Sequence, residues 1–163
     1  FVSLPCPMRY PGTMTALRPL IRPVRAADRA EWARLWTGYL AFYDTELPQS
    51  AYDTLFARML APGPDGPFGL LAERDGRPVG LVHYFFHLHC WRPDGAVYLQ
   101  DLYAEPEARG QGIGRALIEA VYGAADAAGR PYVYWTTRAG NATARQLYDR
   151  IGVATDFIRY VRG

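Results

Sequence analysis

The stretch that most constrains this chain is Arg109-Gly110-Gln111-Gly112-Ile113-Gly114-Arg115-Ala116. It stands between a strand candidate, Val97–Ala104, and the residues Ile113, Leu117, Ala120, Val121 and Ala124, which recur at helical spacing. The stretch therefore reads as a strand-to-helix turn. Glycines at alternate positions let the backbone approach a ligand with no Cβ in the way. The first turn of the following helix adds unpaired N–H groups and the positive end of its dipole. Such a turn suits a phosphate or pyrophosphate, and Arg109 and Arg115 bring full charges. Glycine spacing alone also fits a tight turn with no ligand. A P-loop is excluded, because no Gly-Lys-Ser/Thr follows. A dinucleotide fingerprint is excluded too. The spacing is G-x-G-x-G, and the strand before it follows two antiparallel strands rather than opening a βαβ unit.

At 163 residues, with half of them apolar or aromatic, the chain fits one domain with a real core. Residues 1–13 carry Pro5, Pro7, Pro11 and Gly12 without periodicity and read as a disordered leader or added arm. Organised sequence begins after Met14, so 14–163 is the expected domain. Leu17–Val24 is a strand that Pro19 and Pro23 restrict to an edge. Asp28 and Glu31 suggest a capping box for a helix carrying Trp32, Leu35, Trp36, Tyr39, Leu40 and Tyr43. A second helix is expected over Gln49–Leu60. Phe68–Ala72 and Pro78–Cys90 form a hairpin through Arg74-Asp75-Gly76-Arg77. Val97–Ala104 is the next strand, after a turn at Arg92–Gly95. Beyond the helix after the glycine turn come a strand at Pro131–Thr137, a helix capped by Asn141 and closed by Gly152, and a last strand at Phe157–Val161. This order gives an α/β fold with a mixed, mostly antiparallel sheet flanked by about four helices.

Arg109-x-x-Gly112-x-Gly114, after a strand ending Leu102-Tyr103-Ala104, resembles the acetyl-CoA motif of the GNAT N-acetyltransferases. Pro106-Glu107-Ala108 and the later set Asn141, Ala144 and Tyr148 extend the resemblance over nearly all of Leu17–Arg162. Val97–Ala104 looks most like the polyamine and diamine branch. Tyr134-Trp135 and Asn141–Asp149 look like the small histone or D-amino-acid branch. The resemblance implies acetyl-CoA as cosubstrate, with its pyrophosphate on Arg109–Ala116. It also implies that the pantetheine arm pairs with the backbone of Leu102, Tyr103 and Ala104, where the strands Val97–Ala104 and Pro131–Thr137 splay apart. Tyr148 matches the family's general acid beside the CoA sulfur. Asn141, Ala144 and Tyr148 are spaced by three and four and share a helix face. Many relatives are homodimers, so a homodimer is expected.

In the polyamine branch a Glu occupies the position of Gln100, and glutamine cannot take a proton. Asp101 remains, yet strand alternation puts it on the opposite face unless a bulge intervenes. His83, His87 and His89 share strand parity with Phe85 between them. They read as surface or interface histidines, or as a relay for the amine proton in which His87 comes first; no metal site is expected. Asp44, Glu46, Asp101 and Glu105 are the acids that could meet a cationic acceptor. Tyr39, Phe42 and Tyr43 are either aromatic walls for it or core.

A net charge of +2 without a basic block argues against nucleic acid, and no apolar run is long enough for a membrane span. The 18 basic residues are all arginine, which suits the codon bias of a GC-rich bacterial genome. Cys6 and Cys90 form no disulfide framework, which suits the cytoplasm. The reading is transfer of acetyl to a primary amine, such as a small or polyamine-like acceptor, by direct attack on the thioester. The alternatives are a protein lysine or N-terminal acetyltransferase and a non-catalytic CoA-binding regulatory module.

Overall fold

The computed structural model describes residues 18–163, so the expected leader and Leu17 lie outside the described residues. The elements are β1 Leu20–Pro23, α1 Arg29–Phe42, α2 Gln49–Leu60, β2 Phe68–Arg74, β3 Arg77–His89, β4 Arg92–Ala104, α3 Ile113–Ala127, β5 Val133–Tyr134 and α4 Ala142–Ile151. The sheet order is β1-β2-β3-β4-β5, antiparallel from β1 to β4 and parallel between β4 and β5. The expected α/β class and mixed sheet are what the chain forms. The β2–β3 turn puts Asp75 at φ 51° and Gly76 at φ 75°, the paired left-handed residues that a two-residue hairpin loop requires.

Strand alternation splits the core in two. Val82, Tyr84, Phe86, Val97 and Leu99 pack under α3 with Ile113, Leu117, Ile118, Val121 and Ala125. Leu71 and Leu81 pack on the other face with Trp32, Leu35, Trp36 and Leu40 of α1 and Phe56 and Met59 of α2. A Cβ at Gly80 would stand 2.6 Å from Ile113 Cγ2 and 2.9 Å from the Tyr103 carbonyl oxygen. The missing side chain on β3 is what lets the start of α3 sit down on the sheet.

Five local expectations need correction. The turn expected at Arg92–Gly95 falls at Cys90–Trp91, and Arg92–Gly95 opens β4 instead. Asp28 stands at the start of α1, but its carboxylate is held by Arg22 at 2.7 Å and by the Arg25 N–H at 2.7 Å, and Glu31 pairs with Arg34. A part-buried guanidinium outcompetes the helix N–H groups for the same oxygens. The side chain of Asn141 likewise does not cap α4; its amide donates to Thr137 Oγ1 at 3.1 Å. The strand expected at Pro131–Thr137 shrinks to Val133–Tyr134, because pairing with β4 stops at Tyr98. Phe157–Val161 forms no strand. Among the described residues none runs alongside it as a ladder partner, and Phe157, Ile158, Tyr160 and Val161 are exposed.

Candidate active site

The site grows from a bulge. β4 pairs with β3 through Tyr98↔Phe85 and Leu99↔Tyr84, then resumes at Asp101↔His83, so Gln100 has no partner on β3. A bulge inverts the alternation of the residues beyond it. Before it, Tyr98 faces the α1 side and Leu99 the α3 side. After it, Asp101 and Tyr103 face the α1 side. Gln100 and Asp101 therefore open into the same cleft, and the expected opposition between them does not hold.

The cleft encloses about 510 Å³ and is lined by Tyr39, Tyr43, Tyr98, Gln100, Asp101, Arg138 and Arg159, with Thr136 and Thr137. Of the four acids named from sequence, only Asp101 belongs to it. Glu105 is buried under Arg34 and Arg77 near another hollow, and Asp44 and Glu46 are exposed elsewhere. Tyr39 and Tyr43 are walls of the cleft, whereas Phe42 lies outside it. Burial and the facing Asp101 carboxylate push the Tyr39 hydroxyl well above the usual tyrosine range. Arg138 stacks over the Tyr43 ring at 4.8 Å.

The histidines part company. His83 is 3% exposed and bonds Asp101 Oδ2 through Nδ1 at 2.9 Å. His87 accepts from the Tyr134 hydroxyl at 3.0 Å and donates to the Leu88 carbonyl at 2.7 Å, outside the cleft. The histidine beside the candidate base is thus His83, not His87. Among the described residues no group of His, Cys, Asp and Glu is placed to hold a metal ion.

Beside the cleft the sheet is open. Beyond Tyr98 no described strand pairs with the far edge of β4, so the backbone of Leu102, Tyr103 and Ala104 has no ladder partner on that side. The chain then makes a short turn, Pro106–Ala108, and the glycine loop. Gly110 has φ 72° and Gly112 φ 82°, and a Cβ at either would meet nothing within 4 Å. The backbone of the loop is open at both glycines, with no side chain against it. Ala116 N–H bonds Gly112 O at 2.9 Å, so the helical N–H groups of Ile113, Gly114 and Arg115 precede the first intrahelical bond. Ile113 buries its side chain and offers only backbone. Gln111 ties the loop to the Glu107 carbonyl at 2.8 Å. The two flanking arginines are both engaged: Arg109 Nε donates to Ala104 O at 3.1 Å, and Arg115 pairs with Glu119 at 2.8 Å.

Helix α4 closes the far side. Asn141, Ala144, Leu147 and Tyr148 are half-buried, while Ala142, Thr143, Arg145, Gln146 and Asp149 are exposed, as one shared face demands. Tyr148 meets Trp135 edge to face at 5.4 Å. Burial, with Tyr43 nearby, pushes its hydroxyl up to about 12.

A model of the acetyltransferase (GNAT) family matches residues 32–153. The chain belongs to the GNAT acetyltransferase family. It is an acetyl-CoA-dependent N-acetyltransferase. It is 37% identical over 154 residues to a D-amino-acid N-acetyltransferase of Saccharomyces cerevisiae, covering 93% of this chain and 95% of that one. It is 35% identical over 103 residues to a thialysine N-epsilon-acetyltransferase of Bos taurus, covering 62% and 55%. The fold matches a ribosomal-protein-alanine N-acetyltransferase of Brucella melitensis with a TM-score of 0.74 at 23% identity over 90% of this chain and 99% of that one. It also matches AAC(6')-Iy in complex with a CoA bisubstrate analogue, with a TM-score of 0.77 at 17% identity over 89% and 97%.

In this GNAT chain the unpaired helix N–H groups beside Gly110 and Gly112 and the unpaired edge of β4 fit the two polar parts of acetyl-CoA, an anionic pyrophosphate and an amide chain. The sequence reading missed Arg138, Arg159 and Tyr98 in the cleft, and Trp32 behind it. Only the helical spacing of Trp32 carried a signal, and that signal spoke of core. No helix of the described residues is long and apolar enough to cross a membrane.

Proposed function

We propose that this enzyme acetylates the amino group of an amino acid. The observation behind the reading is that one buried carboxylate, Asp101, and two guanidiniums, Arg138 and Arg159, share one cleft at the β4 bulge. An amino acid carries an ammonium and a carboxylate, and the cleft offers a partner for each. A polyamine-like acceptor would bring only positive charge to a site with two arginines and one aspartate. The yeast and bovine relatives, a D-amino-acid and a thialysine acetyltransferase, support the same class.

Bound acetyl-CoA supplies an activated acyl group on a sulfur leaving group. In this reading the N–H groups of Ile113, Gly114 and Arg115 hold the pyrophosphate, and the edge at Leu102, Tyr103 and Ala104 holds the amide arm. Gly110, Gln111 and Gly112 shape the cradle, while Arg109 and Ala116 fix its two ends. Asn141 and the small Ala144 line the α4 side. An alkylamine near pKa 10.4 arrives charged and must lose a proton before it attacks. Asp101 takes that role, and Gln100 orients the amine. Tyr148 keeps its proton across the neutral range. Tyr148 donates to the sulfur as charge builds there, as the general acid.

The test is a thiol-release assay on matched acceptors: amino acids, their neutral amides and polyamines. Amino acids should give the highest kcat/KM. The double variant Arg138→Gln, Arg159→Gln should raise KM at least about tenfold for the amino acid and leave the amide nearly unchanged. Polyamines turned over best, with both substitutions silent, would overturn the amino-acid assignment.

A further inference from the structure

Behind the cleft lies a polar chain that the transfer step does not use. Trp32 is fully buried and donates its indole N–H to His83 Nε2 at 2.8 Å. His83 Nδ1 meets Asp101 Oδ2 at 2.9 Å. An indole nitrogen can only donate, so Nε2 must present its lone pair. The imidazole proton then sits on Nδ1 and is donated to Asp101. A second proton, on Nε2, would point straight at the Trp32 N–H, with no room for water between them at 2.8 Å. Also beside His83 are the Trp36 ring, edge to face at 5.9 Å, and Gly69, its partner on β2. Asp101 itself is faced by Tyr39 from α1.

We infer that Trp32 and His83 are positioning residues for the acceptor amine, holding His83 as the neutral Nδ1–H tautomer so that Asp101 is oriented yet keeps its negative charge for the substrate. This rests on Asp101 being the group that meets the amine. A charged His83 would also donate to Asp101, but it would cancel the carboxylate that an incoming ammonium needs. A neutral donor fixes the carboxylate without competing for it. The bulge completes the device: it sets Asp101, rather than Gln100, opposite His83. Three linked polar groups in an otherwise apolar layer cost desolvation that an apolar trio would avoid. A task in the cleft explains their presence; packing does not.

Two readouts on the full chain test this. The first needs no cosubstrate: long-range proton–nitrogen NMR on histidine-labelled protein, which separates the two tautomers by the shifts of the ring nitrogens. His83 should be the Nδ1–H form, and Trp32→Phe should release it to a mixture. An Nε2–H form in the parent would overturn the inference. The second compares His83→Asn, whose amide places an N–H where Nδ1 stood, with His83→Leu, which packs but cannot donate. Acetyl-CoA affinity by calorimetry should stay within about twofold in both. The kcat/KM for the acceptor should fall about 100-fold in the leucine variant, as for a misplaced reacting group, and recover to within about tenfold in the asparagine variant. Equal activities in the two variants, or parental kcat/KM in a folded leucine variant, would sink it. If another amine is turned over and amino acids are not, the proposed function fails instead, and the tautomer and the two His83 variants assayed on that amine still decide this inference.

Discussion

Replacing Gly112 by Asn or by Asp separates the two reasons a glycine can stand there. Its φ of 82° is left-handed, and a Cβ would enter open space. Asparagine and aspartate both tolerate that backbone better than other L residues and are nearly the same size. Each should cost about 1 kcal/mol of stability through the backbone alone. They differ by one charge. Against a bound pyrophosphate carrying about two charges, a carboxylate within about 4 Å costs roughly 2 kcal/mol even at the dielectric of water, or about thirtyfold in affinity. Salt screening trims this, so tenfold is the floor expected near 0.1 M salt. Thermal melts of both variants give the backbone cost, and calorimetric titration with CoA gives the affinity. The asparagine variant should bind within a few-fold of the parent and the aspartate variant at least about tenfold more weakly, with the gap narrowing as salt rises. Equal CoA affinity in two folded variants would show that no phosphate lies at this loop.

Tyr148→Phe should lower kcat about 100-fold with little change in acetyl-CoA affinity, and a folded variant with parental kcat, where chemistry limits turnover, would remove the role. Because Tyr148 ionises near 12 when folded and near 10 when unfolded, the unfolded chain loses this proton first as pH rises. Stability should therefore fall between pH 10 and 12, by about 2–3 kcal/mol from this group, and denaturant melts of the Phe variant should lack that part of the fall. At the other end of the scale, Arg22 holds the Asp28 carboxyl below its usual range. Its stabilisation is complete above the ordinary carboxylate pKa and is lost as pH falls through the depressed value. Asp28→Asn should cost about 2–3 kcal/mol near neutrality, less than a fully orphaned buried charge, because Glu73 still holds Arg22. An unchanged urea midpoint would refute the pairing.

Much of this fold was legible because its signals are local. The helix Gln49–Leu60 follows from apolar spacing, the β2–β3 hairpin from Asp75-Gly76, and the glycine loop from residues adjacent in the chain. What failed depended on distant partners. Asp28 has the right residue type for a cap, yet Arg22 claims it. Phe157–Val161 is rich in the aromatic and β-branched residues of a strand, yet a strand exists only beside another strand. Arg138 and Arg159 show no motif at all, and nothing in their local sequence says that they share a cleft with Asp101.

The bulge shows why the site was harder to read than the fold. From His87↔Ala96 the ladder runs regularly to Tyr84↔Leu99 and would next pair His83 with Gln100. That register puts a glutamine against the buried histidine and turns Asp101 toward the α3 core, where an unpaired carboxylate would cost several kcal/mol. Skipping one residue places Asp101 opposite His83 and sends Leu102 to the α3 side beside Ala104. The sequence thus contains a conflict that regular alternation cannot resolve: Leu99 and Leu102 both belong to the α3 face but stand three apart. An odd spacing between two buried apolar residues, with adjacent polar ones between them, is a bulge signature that can be read without a structure. Applied here, it turns Gln100 and Asp101 from alternatives into neighbours in one cleft, and the ladder register then sets His83, of the three histidines on β3, opposite Asp101.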